Sequence, residues 1–507
     1  MNKQFLSFTF FLFISGFLFG QTYDSTAWEY AKTIDQKNIY RHLSTLASAE
    51  YEGRETGELG QKMAMNYIVK HFKDHRILDY GNRGYIQWYE VYEQENNGVT
   101  VDIKNKKFEI NKDFLMNPAV VNNGDYNFDF VFVGHGIEEE KYNSYEGIDV
   151  KGKAVFFLTS RPEKVNLEDE WSIEKKVELA KEKGALGVFY EQSDISAFIE
   201  RNKSRLNRKR SALSYNVDLE KPFYTFRMNK GMTQELLSVG NLRYKSVSKK
   251  GVKLKNNFTS QLTVKIDKPT RAIAGENVFA YIRGTDKQDE VVVISAHYDH
   301  LGKIDNEIYY GADDNASGTA ALLEIAAAFQ KAAIEGNRPR RSILLIAFSG
   351  EEKGLLGSSY YVNYPIIPLE QTVANLNIDM IGRHDKAHVQ DSNYIYLIGS
   401  DKLSDDLHTL SEKVNKLYTN ISLDYTFNSK DDPNKFYYRS DHYNFAKNNI
   451  PVIFYFNGIH EDYHKPTDTV DKIDFKKTTH ISRYIFLTAW HIANAEKRLE
   501  LNDNIEK

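Results

Sequence analysis

Apolar residues along this chain follow two periodicities. Ile39, Leu43 and Leu46 recur at helical spacing, as do Ala64, Ile68 and Phe72. This predicts two amphipathic helices flanking a glycine-containing turn that runs from Glu52-Gly53-Arg54 to Gly60. From about residue 108 the texture changes to short β-like runs, and residues 130–133 and 154–158 are apolar segments bounded by glycine or charged turns. Residues 173–183 read as a helix and 185–190 as the strand after it. Past about residue 274, strand and helix alternate. Residues 291–296 and 343–348 are continuous apolar runs, the pattern of parallel strands buried on both faces, and the Ala- and Leu-rich stretch 316–333 between them is a helix. Residues 376–380, 394–398 and 451–456 add strands, and 478–495 a closing helix. The alternation predicts an α/β three-layer sandwich around a mostly parallel mixed sheet. The β-rich middle block then reads as an insertion, with the two N-terminal helices belonging to the later α/β domain.

Composition sharpens this picture in three places. A chain of 507 residues with 41% hydrophobic content is longer than one core usually covers, so two domains are expected. The formal net charge of -4, with both signs interspersed, gives no electrostatic basis for nucleic acid or an anionic membrane as partner. The basic decade 201–210 reads as an exposed loop or helix face. Residues 1–20 differ from the rest: Lys3 precedes a nearly unbroken apolar run over 5–19, and Gly20 precedes a polar segment. That is the pattern of a secretory signal peptide, its apolar run short for a span of about 20 residues. The expected location is therefore exported, periplasmic or secreted, without stable membrane insertion after signal cleavage. The chain has no cysteine, which excludes a lipid-modified cysteine, disulfides and thiolate chemistry. Any zinc must then be held by histidine and carboxylate.

The candidate chemistry lies at the ends of the predicted strands. The run 291–296 leads into His297-Tyr298-Asp299-His300, and 343–348 into Ser349-Gly350-Glu351-Glu352. The strand around 376 leads into Asp379, and 451–456 into a loop reaching His464. Ligands of open α/β sheets gather at the carboxyl ends of strands, so these clusters should converge. Just before the long helix stands Gly311-Ala312-Asp313-Asp314-Asn315-Ala316-Ser317-Gly318. Two histidines and three carboxylates, one of them shared, would give each of two zinc ions three protein ligands and leave room for water. Adjacent side chains diverge, so of Glu351 and Glu352 one can bind metal while the other faces the water. Taken singly each cluster has a plainer reading: a helix cap for Asp313-Asp314-Asn315, a solvated turn for Glu351-Glu352. Their order, each at a strand end, is what argues against coincidence.

The strings SAHYDH, GADDNASGTAALLE, FSGEEKGLLGS, NIDMIG, RSDHYNF and DYHKPTDT resemble the signature set of the co-catalytic di-zinc aminopeptidases. That family has glutamate carboxypeptidase and transferrin receptor relatives. The resemblance covers about residues 270–480, and LASAEYEGRETGELGQKMAMNYI near residue 50 resembles the family's N-terminal helices. It implies two Zn2+ ions bridged by Asp314, with His297 and Asp379 completing one site and Glu352 and His464 the other. Glu351 would be the general base that deprotonates a metal-bridging water, Tyr463 would hydrogen-bond the tetrahedral oxyanion, and Asp299 would hydrogen-bond His297 and fix its tautomer. Arg439 is a further candidate beside Tyr463, and His442 reads equally well as a packing histidine. The family pattern also implies a cis peptide at Asp314-Asn315. FVFVGHGI, YEGIDVKGKAVFFL and KEKGALGVFY resemble a protease-associated domain.

The implied organisation is a signal peptide at 1–20, an N-terminal part of the peptidase domain at 21–109, a protease-associated insert at 110–265 and a catalytic domain at 266–507. The implied function is secreted di-zinc exopeptidase, an aminopeptidase acting on peptide substrates. The alternatives are a carboxypeptidase or dipeptidase of the glutamate carboxypeptidase type, and a non-catalytic receptor-like binding protein on the same scaffold.

Overall fold

Strands that are apolar on both faces need helices on both faces, and the computed structural model of the chain is organised around that requirement. It describes residues 23–503 except 119, 163–164, 166, 207, 215–221, 245–246, 248–257 and 390; the expected signal segment at 1–20 lies outside the described residues. The central sheet comprises β1 (Ile86–Gln94), β2 (Arg210–Leu213), β3 (Thr270–Ile282), β4 (Lys287–His297), β5 (Arg341–Phe348), β6 (Thr372–Ile378), β7 (Tyr394–Ile398), β8 (Ser422–Asp424) and β9 (Val452–Phe456). Their spatial order is β2-β1-β3-β5-β4-β6-β9-β7-β8. The inner quartet β5-β4-β6-β9 is parallel throughout, and β3 and β7 flank it in antiparallel pairing.

Side chains alternate cleanly across this sheet. Val292, Ile294 and Ala296 of β4 enter one core, which is covered by α1 (Ser25–Ala31), α2 (Gln36–Leu46), α3 (Leu59–Asp74), α4 (Gly318–Ile334), and two later helices. Val291 and Val293 enter the opposite core with Tyr361 of α5 (Leu356–Asn363). The later helices on the first face are α6 (Asp405–Val414) and α8 (Phe475–Asn494); between them in sequence, α7 (His442–Ala446) joins α5 on the second face through Phe445. The expected α/β sandwich is the observed one, its parallel part confined to the inner quartet of a mixed sheet.

A second, eight-stranded sheet is built from residues 99–266. It begins earlier than the boundary at 110 expected from the sequence. Val99–Ile103 pairs antiparallel with Thr259–Ile266, because Val99, Val101 and Ile103 alternate into this sheet's own core. One strand of the same stretch departs from it: β2 pairs with β1 at the edge of the central sheet. The basic decade beside it is more than a solvated face. Lys209 Nζ stands 3.3 Å from the buried Glu93 carboxylate of β1, which also takes Lys353 Nζ at 2.8 Å.

The turn after α2 is the least expected piece of scaffolding. Arg54, 1% exposed, donates from Nε to the Tyr298 carbonyl (2.9 Å), from Nη1 to those of Leu46 (2.5 Å) and Tyr310 (2.9 Å), and from Nη2 to that of Gly311 (2.9 Å). One guanidinium thus ties the loop after β4 and the approach to α4 to the N-terminal helices. Gly53, at φ 71°, packs so tightly that a Cβ there would lie 2.4 Å from the Tyr309 carbonyl oxygen, which explains the glycine. Burial lowers the Arg54 pKa to about 10, opposed by the charges of Asp314 and Asp299, so it stays protonated at neutral pH. On the outer side of the same helices His71, 6% exposed, donates from Nε2 to the Leu323 carbonyl at 3.0 Å between the rings of His42 and His75. Burial, reinforced by those two histidines, brings its pKa down to about 2.

Two stability predictions follow from these residues. Arg54→Ala leaves three buried carbonyls and the half-buried one of Tyr310 without this donor and should destabilise the protein by about 3–5 kcal/mol in denaturant unfolding, the range for breaking a buried charged network. For His71 the unfolded chain binds a proton below pH 6.5 that the folded chain refuses down to about 2. Its contribution is therefore complete above pH 6.5 and is lost as pH falls, by about 1.4 kcal/mol per unit. The loss of stability between pH 7.5 and 5 should shrink by about 2 kcal/mol in His71→Gln, measured by urea unfolding at both pH values.

Candidate active site

Parallel register brings the strand-end clusters together. His297 closes β4 opposite Phe348 of β5, so Ser349 to Glu352 turn away beside it. Ser295 lies opposite Asn377 of β6, which sets Asp379, two residues on, against the imidazole. The chain leaves β4 to one side to form β5 and then returns past β4 to form β6, which makes the β4/β6 crevice the point where strand order reverses. Asp314 enters from a tight turn at Ala312–Ser317 that leads into α4, and its bond to Asn315 is cis, as the resemblance implies.

The two oxygens of Asp314 face in different directions. Oδ1 is 3.4 Å from His297 Nε2, which is also 3.1 Å from Asp379 Oδ1. Oδ2 is 3.0 Å from His464 Nε2, which is also 3.2 Å from Glu352 Oε1. The structure thus brings His297, Asp314, Glu352, Asp379 and His464 into one cluster, with Asp314 in the middle. Backbone amides and neighbours hold these carboxylates. The Asp468 carboxylate accepts from the amides of Asp313 (3.0 Å) and Asp314 (3.2 Å), and Asp379 Oδ2 accepts from Ser440 Oγ at 2.6 Å. Asn315 ties the start of α4 to the end of β6, donating to the Ile378 carbonyl (2.8 Å) and accepting from the Met380 amide (3.1 Å).

Asp299 meets His297 through its main chain and not through its carboxylate. His297 Nδ1 donates to its backbone carbonyl at 3.1 Å, while its carboxylate oxygen stands 3.8 Å away. The carboxylate is drawn off by two other donors, Thr56 Oγ1 at 2.8 Å and the Glu351 amide at 3.2 Å. The His297 tautomer is therefore fixed by a main-chain oxygen, and Asp299 instead holds the Glu351 turn. Tyr463 stacks on His464 with ring centroids 3.9 Å apart, and its hydroxyl accepts from Arg439 Nη2 at 3.2 Å. His442 is buried with its ring on Phe454 at 4.7 Å, a packing histidine.

One histidine of the cluster had no assigned role in the sequence. His300, fully buried, places Nδ1 2.8 Å from Glu352 Oε1. The signal was present in the string His297-Tyr298-Asp299-His300, but spacing alone does not tell which of its histidines turns inward. Arg54 and Thr56 were equally unassigned, since, apart from the Leu46 carbonyl, the partners named for them here lie more than 240 residues away in sequence.

Electrostatics follow from crowding four carboxylates against imidazoles. Burial pushes Glu351 well above the usual carboxylate range, reinforced by Asp379 and Glu352 and opposed by His297. Burial would lower His464, but Glu352 and Asp314 outweigh it and bring it to about 10. The same pairing takes Glu352 down to about 2 against the effect of its own burial. Protons on the imidazoles thus partly neutralise a cluster rich in carboxylate. Divalent cations fit there better. The donors are imidazole nitrogen and carboxylate oxygen, and the histidine–carboxylate separations of 3.0–3.4 Å match atoms sharing one ion at about 2.0–2.2 Å. A histidine–carboxylate pair with such separations stands on each side of Asp314, and Glu351 has an oxygen within 4.8 Å of ligand atoms of His297 and Asp379.

Comparison with known proteins finds similarity to peptidases. A model described as Peptidase family M28 matches residues 277–489. A glutamate carboxypeptidase 2 homolog of Caenorhabditis briggsae is 32% identical over 154 residues, 30% of this chain and 18% of that protein. Aminopeptidase YwaD of Bacillus subtilis is 35% identical over 127 residues, 25% of this chain and 23% of that protein. The matched stretches therefore span less than a quarter of the length of these two relatives. In fold, the chain is similar to the aminopeptidase from Aneurinibacillus sp. strain AM-1, with a TM-score of 0.54 and 19% identity over 95% of this chain and 98% of that one. The strand-end cluster lies inside the stretch, residues 277–489, that the Peptidase family M28 model matches.

Proposed function

We propose that the chain is an exported two-zinc exopeptidase, an aminopeptidase that hydrolyses the N-terminal peptide bond of its substrates. The observation that carries this reading is the split of Asp314 between two imidazole–carboxylate pairs, with Glu351 at the same pocket. His297, Asp379 and Asp314 would hold one ion, and His464, Glu352 and Asp314 the other. Bound there, a zinc pair acidifies water and polarises a carbonyl oxygen.

The remaining work belongs to side chains. Glu351, partly exposed at the pocket and readily protonated, takes the proton from the attacking water and passes it to the leaving amine. Tyr463 keeps its phenol proton, because burial and the Asp314 and Glu352 charges push its pKa well up. Its oxygen already accepts from Arg439, so its O–H is available to donate to a developing oxyanion. Met380, Phe436, Phe454, Phe456 and Ile459 wall the pocket and suit an apolar substrate side chain. Asp379 and Glu351 offer acceptors for a terminal ammonium. Arg439 is the one lysine or arginine among the described pocket residues, and it is engaged with Tyr463, which weakens the case for capture of a terminal carboxylate.

The export reading rests on the apolar run within residues 1–20; among the described residues no helix is long and apolar enough to cross a membrane. The names of the relatives support a second reading, a carboxypeptidase.

Purified protein should hydrolyse leucyl-nitroanilide, lose that activity to a chelator and regain it with zinc. Glu351→Gln should lower kcat by about 10²–10⁴ while keeping its metal. Wild-type turnover in that variant would remove Glu351 from the mechanism. Activity confined to N-blocked peptides with a free carboxyl end would replace the aminopeptidase reading with the carboxypeptidase one.

A further inference from the structure

His300 is buried, charged groups surround it, and neither of its ring nitrogens has a hydrogen-bond partner among the described residues. Glu352 Oε1 lacks one too, although it stands only 2.8 Å from His300 Nδ1. The two atoms are that close without the alignment of a donor and an acceptor. His300 Nδ1 is also 3.8 Å from Asp314 Oδ2. Those separations are compatible with three ligand atoms around one ion at about 2.0–2.2 Å. His300, Asp314 and Glu352 therefore form a set able to hold a metal.

The same two carboxylate oxygens, Asp314 Oδ2 and Glu352 Oε1, are the ones His464 approaches, at 3.0 and 3.2 Å. The carboxylate pair is thus flanked by two imidazoles of different character. His464 belongs to the loop after β9, with its side chain 26% exposed. His300 lies in the turn directly after β4, with its side chain at 0%. Its ring is held in a built space. Gly311, at φ 55°, lies against it so closely that a Cβ would be 2.5 Å from the imidazole Cγ, and Arg54 fixes the Gly311 carbonyl at 2.9 Å. The amide of His300 in turn donates to the Arg54 carbonyl at 3.3 Å.

We propose that His300 is a second, internal imidazole ligand for the ion at Asp314 and Glu352, able to retain it when His464 is disengaged. The proposal rests on the two-ion reading given above. It makes the two ion positions unequal: the one at Asp314 and Glu352 has an alternative nitrogen donor built into the scaffold. A histidine that merely oriented Glu352 would donate a well-aligned N–H to it, as residues behind metal ligands do. That alignment is what the geometry lacks.

The test is zinc content and affinity, measured by equilibrium dialysis and metal analysis on wild type, His464→Ala, His300→Gln and the double variant. Circular dichroism of each metal-free protein checks folding. Wild type should bind two zinc ions; His464→Ala should still bind two, the weaker by about 10–100-fold, and the double variant one. Should His464→Ala bind one ion, or the double variant two, His300 is not a ligand. A crystal structure of zinc-loaded His464→Ala decides the matter without a change at residue 300. His300 Nδ1 should lie about 2.0–2.1 Å from zinc, and a separation above about 3 Å overturns the proposal. Wild type that binds fewer than two ions would instead bring down the two-ion reading itself.

Discussion

Mutual repulsion among crowded carboxylates is the constraint on which the rest of this structure depends. Asp314, Glu351, Glu352 and Asp379 meet where the parallel strands end, and each would avoid its neighbours in water. The fold holds them by giving each a fixed donor or a positive neighbour. Asp468 grips the amides around Asp314, Ser440 holds Asp379, and the two imidazoles stand between the carboxylates. A cluster preorganised in this way does little for stability and has a strong affinity for positive charge, because opposite charges interact far more strongly in a partly dry crevice than in water.

Such a site needs a rigid frame, and the frame draws on segments far away in sequence. Arg54 and Thr56 reach in from the N-terminal helices, one binding the loop after β4 by its carbonyls and the other holding Asp299 and the Gly350 amide. From the same turn Glu55 anchors Lys353, next to the paired glutamates, at 2.9 Å, and Glu93 anchors it at 2.8 Å. Glu93 also receives Lys209, beside a strand that the middle block lends to the central sheet. The middle block is thereby connected to the turn that carries Glu351 through two ion pairs and one strand pairing.

How much of this was legible in the sequence depended on whether a residue's partners were local. The inner strands and α4 announce themselves as unbroken apolar runs because both their faces are buried, and the strand-end position of His297, Glu351, Glu352 and Asp379 follows from those runs. β1 does not, since its exposed Trp88 and buried Tyr89, Val91 and Glu93 mix apolar and charged residues on both faces. The early start of the second sheet was hidden for a related reason: Val99, Val101 and Ile103 are single apolar positions in a polar context, too short to signal which sheet receives them. The roles of Arg54, Thr56 and His300 are set by tertiary contacts alone. Asp299 shows the same limit, for sequence places it beside His297 without saying whether carbonyl or carboxylate makes the bond.

The central claim is that one carboxylate, Asp314, serves two cation positions. Calorimetric titration of metal-free protein with zinc, comparing wild type with Asp314→Ala, tests it directly. The account predicts two zinc ions per wild-type chain and a fall in affinity at both positions in the variant, since His297–Asp379 and Glu352–His464 each lose a shared partner. An Asp314→Ala protein in which either position binds zinc as tightly as before would contradict it.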